Sequence, residues 1–153
     1  LKEDKEQLIK ILICDDDPAD RKLIRSVLQQ IVSTEFAISE AGSATDIQKA
    51  LNNSHPDLIL LDLIMPEKSG MEWLDEIVQK GIAPVIVITG LTEEENEFMA
   101  IRKGAYGYIS KPWLSGCTVA LPMMMRAIWS SLREWKQDKS LEEEKKRWKV
   151  IHE

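Results

Sequence analysis

Five side chains stand where runs of apolar residues stop, and their types suit acid and cation chemistry rather than packing. Asp62 ends the run Leu58-Ile59-Leu60-Leu61, just ahead of Leu63-Ile64-Met65-Pro66. Asp15 and Asp16 open an acidic triplet, Asp15-Asp16-Asp17, directly after Ile9-Lys10-Ile11-Leu12-Ile13-Cys14. Thr89 follows Val85-Ile86-Val87-Ile88, and Lys111-Pro112 follows the stretch from Ala105 to Ser110. Adjacent carboxylates repel, so a triplet at one strand end costs stability unless a cation or hydrogen-bond donors offset it. Asp17 has a local use as N-cap of a helix beginning at Pro18, which leaves Asp15 and Asp16 for chemistry. Taken alone, Asp62 reads equally well as a mere strand terminator.

The elements that must position these groups decide the matter. A continuous Leu/Ile run that is too short to span a bilayer suits a parallel strand covered on both faces, because a half-exposed strand would alternate apolar with polar. Strands are expected over 9–14, 36–40, 57–62, 84–89 and 105–110, each followed by a helical pattern. The first helix carries Ile24, Val27, Leu28 and Ile31 on one face; the next, opened by Ser43 with Asp46, carries Ile47, Ala50 and Leu51. A third, with Met71, Leu74, Ile77 and Val78, closes at Gly81, and Thr92 with Glu95 is expected to box the start of a fourth. The fifth presents Leu121, Met125, Ile128, Leu132 and Trp135 on one face. Five alternations of strand and helix call for a doubly wound parallel sheet with helices on both faces. The carboxyl ends of parallel strands share one edge, so Asp15, Asp16, Asp62, Thr89 and Lys111 converge where such sheets bind ligands.

Bulk properties narrow the function. The 153 residues, 44% of them apolar, suit one domain with a modest extension. A net charge of −6 argues against sequence-independent nucleic-acid binding. Cys14 and Cys117 lack CxxC spacing and read as reduced, buried thiols. No apolar run reaches the ~18 residues that a membrane span needs, so a cytoplasmic protein is expected. Residues 1–8 read as a frayed N-terminus and 9–135 as the domain proper. Residues 136–153 read as a charged helical extension, where Glu142–Lys146 and Glu143–Arg147 have the spacing of intrahelical ion pairs. That segment suits a solvated tail or a linker helix, and Trp129, Trp135 and Trp148 favour a homodimer through the last helix. The first residue is Leu1, which suits a piece of a longer protein.

With the acidic pair in ILICDDD, the acceptor in LILLDLIMP, the hydroxyl in VIVITG and the lysine in YISKP, the chain resembles the receiver domain of two-component response regulators from about Ile9 to Leu132. The resemblance implies a flavodoxin-like five-stranded sheet in the order 2-1-3-4-5 with five helices, the last one extended. It makes Asp62 the phosphoacceptor and implies Mg2+ (or Mn2+) held by Asp15, Asp16, Asp62 and the backbone carbonyl of Ile64. It gives Lys111 and Thr89 to the phosphoryl oxygens, Thr89 with Tyr108 to a conformational switch, and a cis bond to Lys111–Pro112. The implied donor is a histidine kinase or histidine phosphotransfer protein, and the implied output is a C-terminal domain or a partner. Neither His55 nor His152 stands in a context that suits a catalytic histidine.

Two features depart from the commonest receiver pattern. The link from Leu114 to Pro122 is a few residues long for the fold, and Ile64 and Leu91 are apolar where polar groups are frequent. Competing functions are a phosphorylation-independent interaction module and a phosphatase with an aspartyl intermediate. The latter uses a second acid two residues after the nucleophile, where this chain has Ile64.

Overall fold

The run Leu58-Ile59-Leu60-Leu61 is apolar throughout because its two faces meet two different cores. In the computed structural model, which describes residues 8–116 and 118–152, Ile59 and Leu61 point to one side and Leu58 and Leu60 to the other. The chain runs β1 (Ile9–Cys14), α1 (Pro18–Gln29), β2 (Phe36–Ala41), α2 (Ala44–Asn53), β3 (Leu58–Leu61) and α3 (Gly70–Lys80). It continues as β4 (Val85–Thr89), α4 (Glu94–Arg102), β5 (Gly107–Ser110), a 3-10 turn (Lys111–Leu114) and α5 (Ala120–His152). All pairings are parallel, as the alternation of patterns required, and the order is β2-β1-β3-β4-β5, as the resemblance implied. Residues 1–7, Cys117 and Glu153 lie outside the described residues, and with them most of the expected frayed N-terminus and one of the two expected buried thiols.

Ile47, Leu51, Trp73, Leu74, Ile77 and Ala100 of α2, α3 and α4 cover one face of the sheet. Ile24, Val27 and Leu28 of α1 with Met124 and Ile128 of α5 cover the other. Local chemistry sets the helix ends as expected at three places. Asp17 accepts from the Ala19 N–H at 2.9 Å, Ser43 accepts from the Asp46 N–H at 3.1 Å, and Gly81 takes the left-handed conformation at φ 60°.

The fourth helix differs from expectation. Its N-cap is Glu93 rather than Thr92, and no side chain caps it. The acids Glu94, Glu95 and Glu97 in the first turn instead oppose the partial positive charge of the helix N-terminus. The Lys111–Pro112 bond is trans, since the described residues contain no cis peptide, and Pro112 sits in the first turn of the 3-10 helix, where its fixed φ is already suitable. Helix α5 also lies rotated from the expected face, with Ala120, Met124, Ile128 and Ser131 buried. That side faces β5, where a Cβ on Gly107 would stand 3.7 Å from Ser131 Oγ, an ordinary contact distance.

Helix α5 has 33 residues, a length of about 50 Å. Its last ties to the body lie between Trp135 and Lys139. Trp135 packs edge-on to Tyr106 with ring centroids 5.9 Å apart, Tyr106 Oη donates to Asp138, and the Lys139 ammonium lies over the Trp135 ring. From Ser140 to His152 every residue is exposed. No helix among the described residues is long and apolar enough to cross a membrane.

Gly70 fixes how closely α3 approaches the end of β3. A Cβ at this position would overlap the Asp62 carbonyl oxygen and lie 2.9 Å from the Asp62 carbonyl carbon, so only glycine fits. Gly70→Ala is therefore expected to lower unfolding stability by about 1–3 kcal/mol through overpacking. Gly90→Ala, with open space around the new methyl, should stay within ~0.5 kcal/mol. Urea denaturation of both variants checks this, and equal midpoints would show that the backbone at Asp62 can yield.

Candidate functional site

Two backbone hydrogen bonds carry the sheet one residue past the formal strand ends and set the acids in place. The Asp62 N–H donates to the Cys14 carbonyl at 2.9 Å, and the Asp15 N–H donates to the Ala41 carbonyl at 3.1 Å. Both carboxylates are buried, with Asp15 only 1% and Asp62 4% exposed, while Asp16 beside them is exposed. Oxygens of Asp15, Asp16 and Asp62 lie within 4.8 Å of one another. The cluster expected from the sequence forms, with Asp17 turned to helix capping.

Lys111 reaches into this cluster from the far side of β5. Its Nζ donates to Asp62 Oδ2 at 2.9 Å and to Asp20 Oδ2 at 2.7 Å, and forms an ion pair with Asp15 Oδ2 at 2.8 Å. Burial would lower the ammonium's pKa, but its contacts with Asp15, Asp20 and Asp62 more than reverse this and hold it above the ordinary lysine range. Asp15 is pushed upward by burial and by the neighbouring Asp62, against the opposing pull of Lys111 and of the Asp17 N–H, which donates to Asp15 Oδ1 at 3.0 Å. Carboxylates outnumber the ammonium, so the pocket still favours a further cation. The donor set is oxygen only, which fits a hard divalent ion.

Thr89 is fully buried at the end of β4, where it pairs in register with Ser110, the residue before Lys111. The Leu91 N–H donates to Thr89 Oγ1 at 3.4 Å, and Tyr108 Oη donates to the Leu91 carbonyl at 2.9 Å. One residue, Leu91, thus joins the hydroxyl and the aromatic ring that the resemblance pairs as a switch. The Ile64 N–H donates to Asp62 Oδ1 at 3.3 Å, while the Ile64 side chain is 57% exposed at the rim. Cys14, at the head of the same strand as Asp15, is a free buried thiol whose pKa burial pushes up to about 12. It is therefore no nucleophile.

Two residues of the site are not apparent from sequence. Asp20 sits in the first turn of α1, where an acid is favoured by the helix N-terminus alone, so nothing in its spacing points to Lys111, 91 positions away. Arg21 donates from Nη1 to the Asp15 carbonyl at 2.7 Å and from Nε to Glu40 at 3.0 Å, and Arg25 joins Glu40 as well. The lack of a Cβ at Gly42 leaves room for that guanidinium, since a Cβ there would lie 2.6 Å from Nη1.

Comparison with known proteins agrees with this geometry. Residues 11–117 match the response regulator receiver domain family. The protein-glutamate methylesterase/protein-glutamine glutaminase of Agrobacterium fabrum is 34% identical over 107 residues, which are 69% of this chain and 30% of that protein. The transcriptional regulatory protein ResD of Bacillus subtilis is 37% identical over 111 residues, 72% of this chain and 45% of that protein. The chain thus spans less than half the length of these curated relatives. A receiver domain crystal structure from Methanospirillum hungatei superposes with a TM-score of 0.67 at 28% identity, over 86% of this chain and 99% of that one. The matched segment takes in the acidic edge, the β4 hydroxyl and the β5 lysine, and on that ground the chain belongs to the response regulator receiver domain family.

Proposed function

We propose that Asp62 is the phosphoacceptor of this receiver, taking its phosphoryl group from a phosphohistidine on a histidine kinase or phosphotransfer protein. The observation that carries the reading is a buried carboxylate held 2.9 Å from a lysine ammonium at the ligand-binding edge of the sheet. An Asp62 carboxylate oxygen attacks phosphorus, the phosphorus–nitrogen bond of the donor breaks, and the donor imidazole leaves with its electron pair and takes up a proton. Lys111 stays charged throughout and neutralises a phosphoryl oxygen, and the Thr89 hydroxyl donates to another. Asp15, Asp16 and Asp62, with the Ile64 backbone carbonyl, would hold a Mg2+ ion. Bound there, that ion would neutralise charge on the transferring phosphoryl oxygens.

The switch runs through the backbone of Leu91. When the Thr89 hydroxyl turns to a phosphoryl oxygen, the Leu91 N–H loses its acceptor, and the Leu91 carbonyl that holds Tyr108 moves with it. The response passes to a region or partner beyond the receiver, in keeping with the greater length of the relatives. Incubation with acetyl phosphate and magnesium, read by mass measurement, is expected to add one phosphoryl group to the wild type and none to Asp62→Ala. Equal labelling of both would remove Asp62 from its role. No labelling of either would favour the phosphorylation-independent module.

Lys111 also has a structural duty that can be measured without phosphorylation. Lys111→Ala leaves Asp15 and Asp62 buried without their counter-charge, which is expected to cost about 2–4 kcal/mol of stability in the absence of divalent ions. Millimolar Mg2+ should recover part of this loss by binding the folded state alone. A thermal melt insensitive to Mg2+ in this variant would argue against the ion's placement.

The rim sets the lifetime of the acyl phosphate. Hydrolysis needs a water in line with the leaving oxygen, and neither Ile64 nor Leu91 can hydrogen-bond one. The combined Ile64→Asn and Leu91→Glu variant is expected to lose its label about tenfold faster, equivalent to ~1.4 kcal/mol of barrier. A decay rate equal to wild type would mean that these side chains do not control the step.

A further inference from the structure

The free end of α5 carries apolar surface that the receiver body does not use. Leu141 is 54% exposed, Trp148 62% and Ile151 76%, and all three belong to the stretch in which every residue is exposed. Leu141 and Trp148 are seven residues apart and so share one line along the helix, with Ile151 beside it. That line lies about 140–160° around the helix from the Ile128 side that packs on the sheet. The body therefore cannot cover it.

Charge along this segment falls into two adjacent blocks. Glu142, Glu143 and Glu144 are followed at once by Lys145, Lys146 and Arg147. The spacing from Glu142 to Lys146 and from Glu143 to Arg147 would serve a solitary helix, yet neither pair closes within ion-pair distance. Among the described residues the one ion pair in this stretch is Lys139 with Glu142 at 3.8 Å. A solitary charged helix also has no need of an exposed tryptophan and leucine in register.

We infer that the segment from Leu141 to Ile151 is an antiparallel docking surface for the same segment of a second copy of this chain. A two-fold axis between Glu144 and Lys145 sets Glu144 beside Arg147 of the second copy on one flank of the contact and Glu142 beside Lys145 on the other, with Glu143 and Lys146 facing outward. It brings Leu141 of each helix alongside Trp148 of the other. A parallel arrangement would instead put glutamate by glutamate and lysine by lysine, so the charge order selects the antiparallel one. The contact is isologous and closes at two copies. Its overlap is short, well below the ~1,600 Å² of a standard interface, so the association is weak and weakens further as salt screens the paired blocks.

Sedimentation of the full chain over a range of concentrations, at low and high salt, tests the pairing. Wild type is expected to self-associate at low salt and to dissociate as salt rises, with Trp148→Ala shifted towards monomer. The triple variants E142K/E143K/E144K and K145E/K146E/R147E should each be monomeric and should associate when mixed. Orientation is read by spin labels on a cysteine placed at Lys145 or at His152, in a chain carrying Cys117→Ser. The antiparallel pair gives a short separation for the first and one of about 20–25 Å for the second. A monomer under all conditions overturns the inference, and so does self-association that ignores both charge variants and Trp148→Ala. Short separations at both labels would establish a parallel pair and overturn it equally.

Discussion

The acidic edge depends on one ammonium group. Three carboxylates from three elements, Asp15 after β1, Asp20 in α1 and Asp62 after β3, come within 2.9 Å of Lys111 Nζ, although burial of unpaired charge is among the costliest things a fold can do. The lysine is delivered from β5 across the sheet, so β1, β3, β5 and α1 must all be in register before the charges balance. This makes the site a late consequence of the whole topology. Arg21 performs a related task one layer out, where its donation to the Asp15 carbonyl ties the acidic loop to Glu40 on β2.

The apolar scaffold below the edge explains how such a pocket can be tolerated. Each central strand alternates between two cores, so β1, β3 and β4 are covered on both sides and have almost no freedom to shift. The positions of Asp15, Asp62 and Thr89 follow from that rigidity, each standing at or just past the end of a fully covered strand. The fit of Gly70 against the Asp62 carbonyl extends the same constraint into the loop.

Strand count, parallel pairing and the convergence of Asp15, Asp16, Asp62, Thr89 and Lys111 could be read from the sequence, because apolar runs and strand-end polar residues are local signals. Caps at Asp17, Ser43 and Gly81 were equally legible for the same reason. What escaped was set by contacts between distant residues. The roles of Asp20 and Arg21 depend on neighbours far along the chain. The trans bond at Pro112 was missed because the resemblance pointed the other way, while the 3-10 turn that accommodates it was not foreseen.

Tyr106 gives the long helix a mechanical meaning. It lies two residues before Tyr108, just ahead of β5, and grips α5 through Trp135 and Asp138 just where the helix leaves the body. Beyond that grip about 13 residues project without support, an arm of roughly 20 Å. A helix is stiff over such a length, so an angular change of about 5° at the Tyr106 fulcrum sweeps the tip by nearly 2 Å. Displacements too small to disturb the sheet are thereby amplified into movements as large as those that separate a packed contact from an open one.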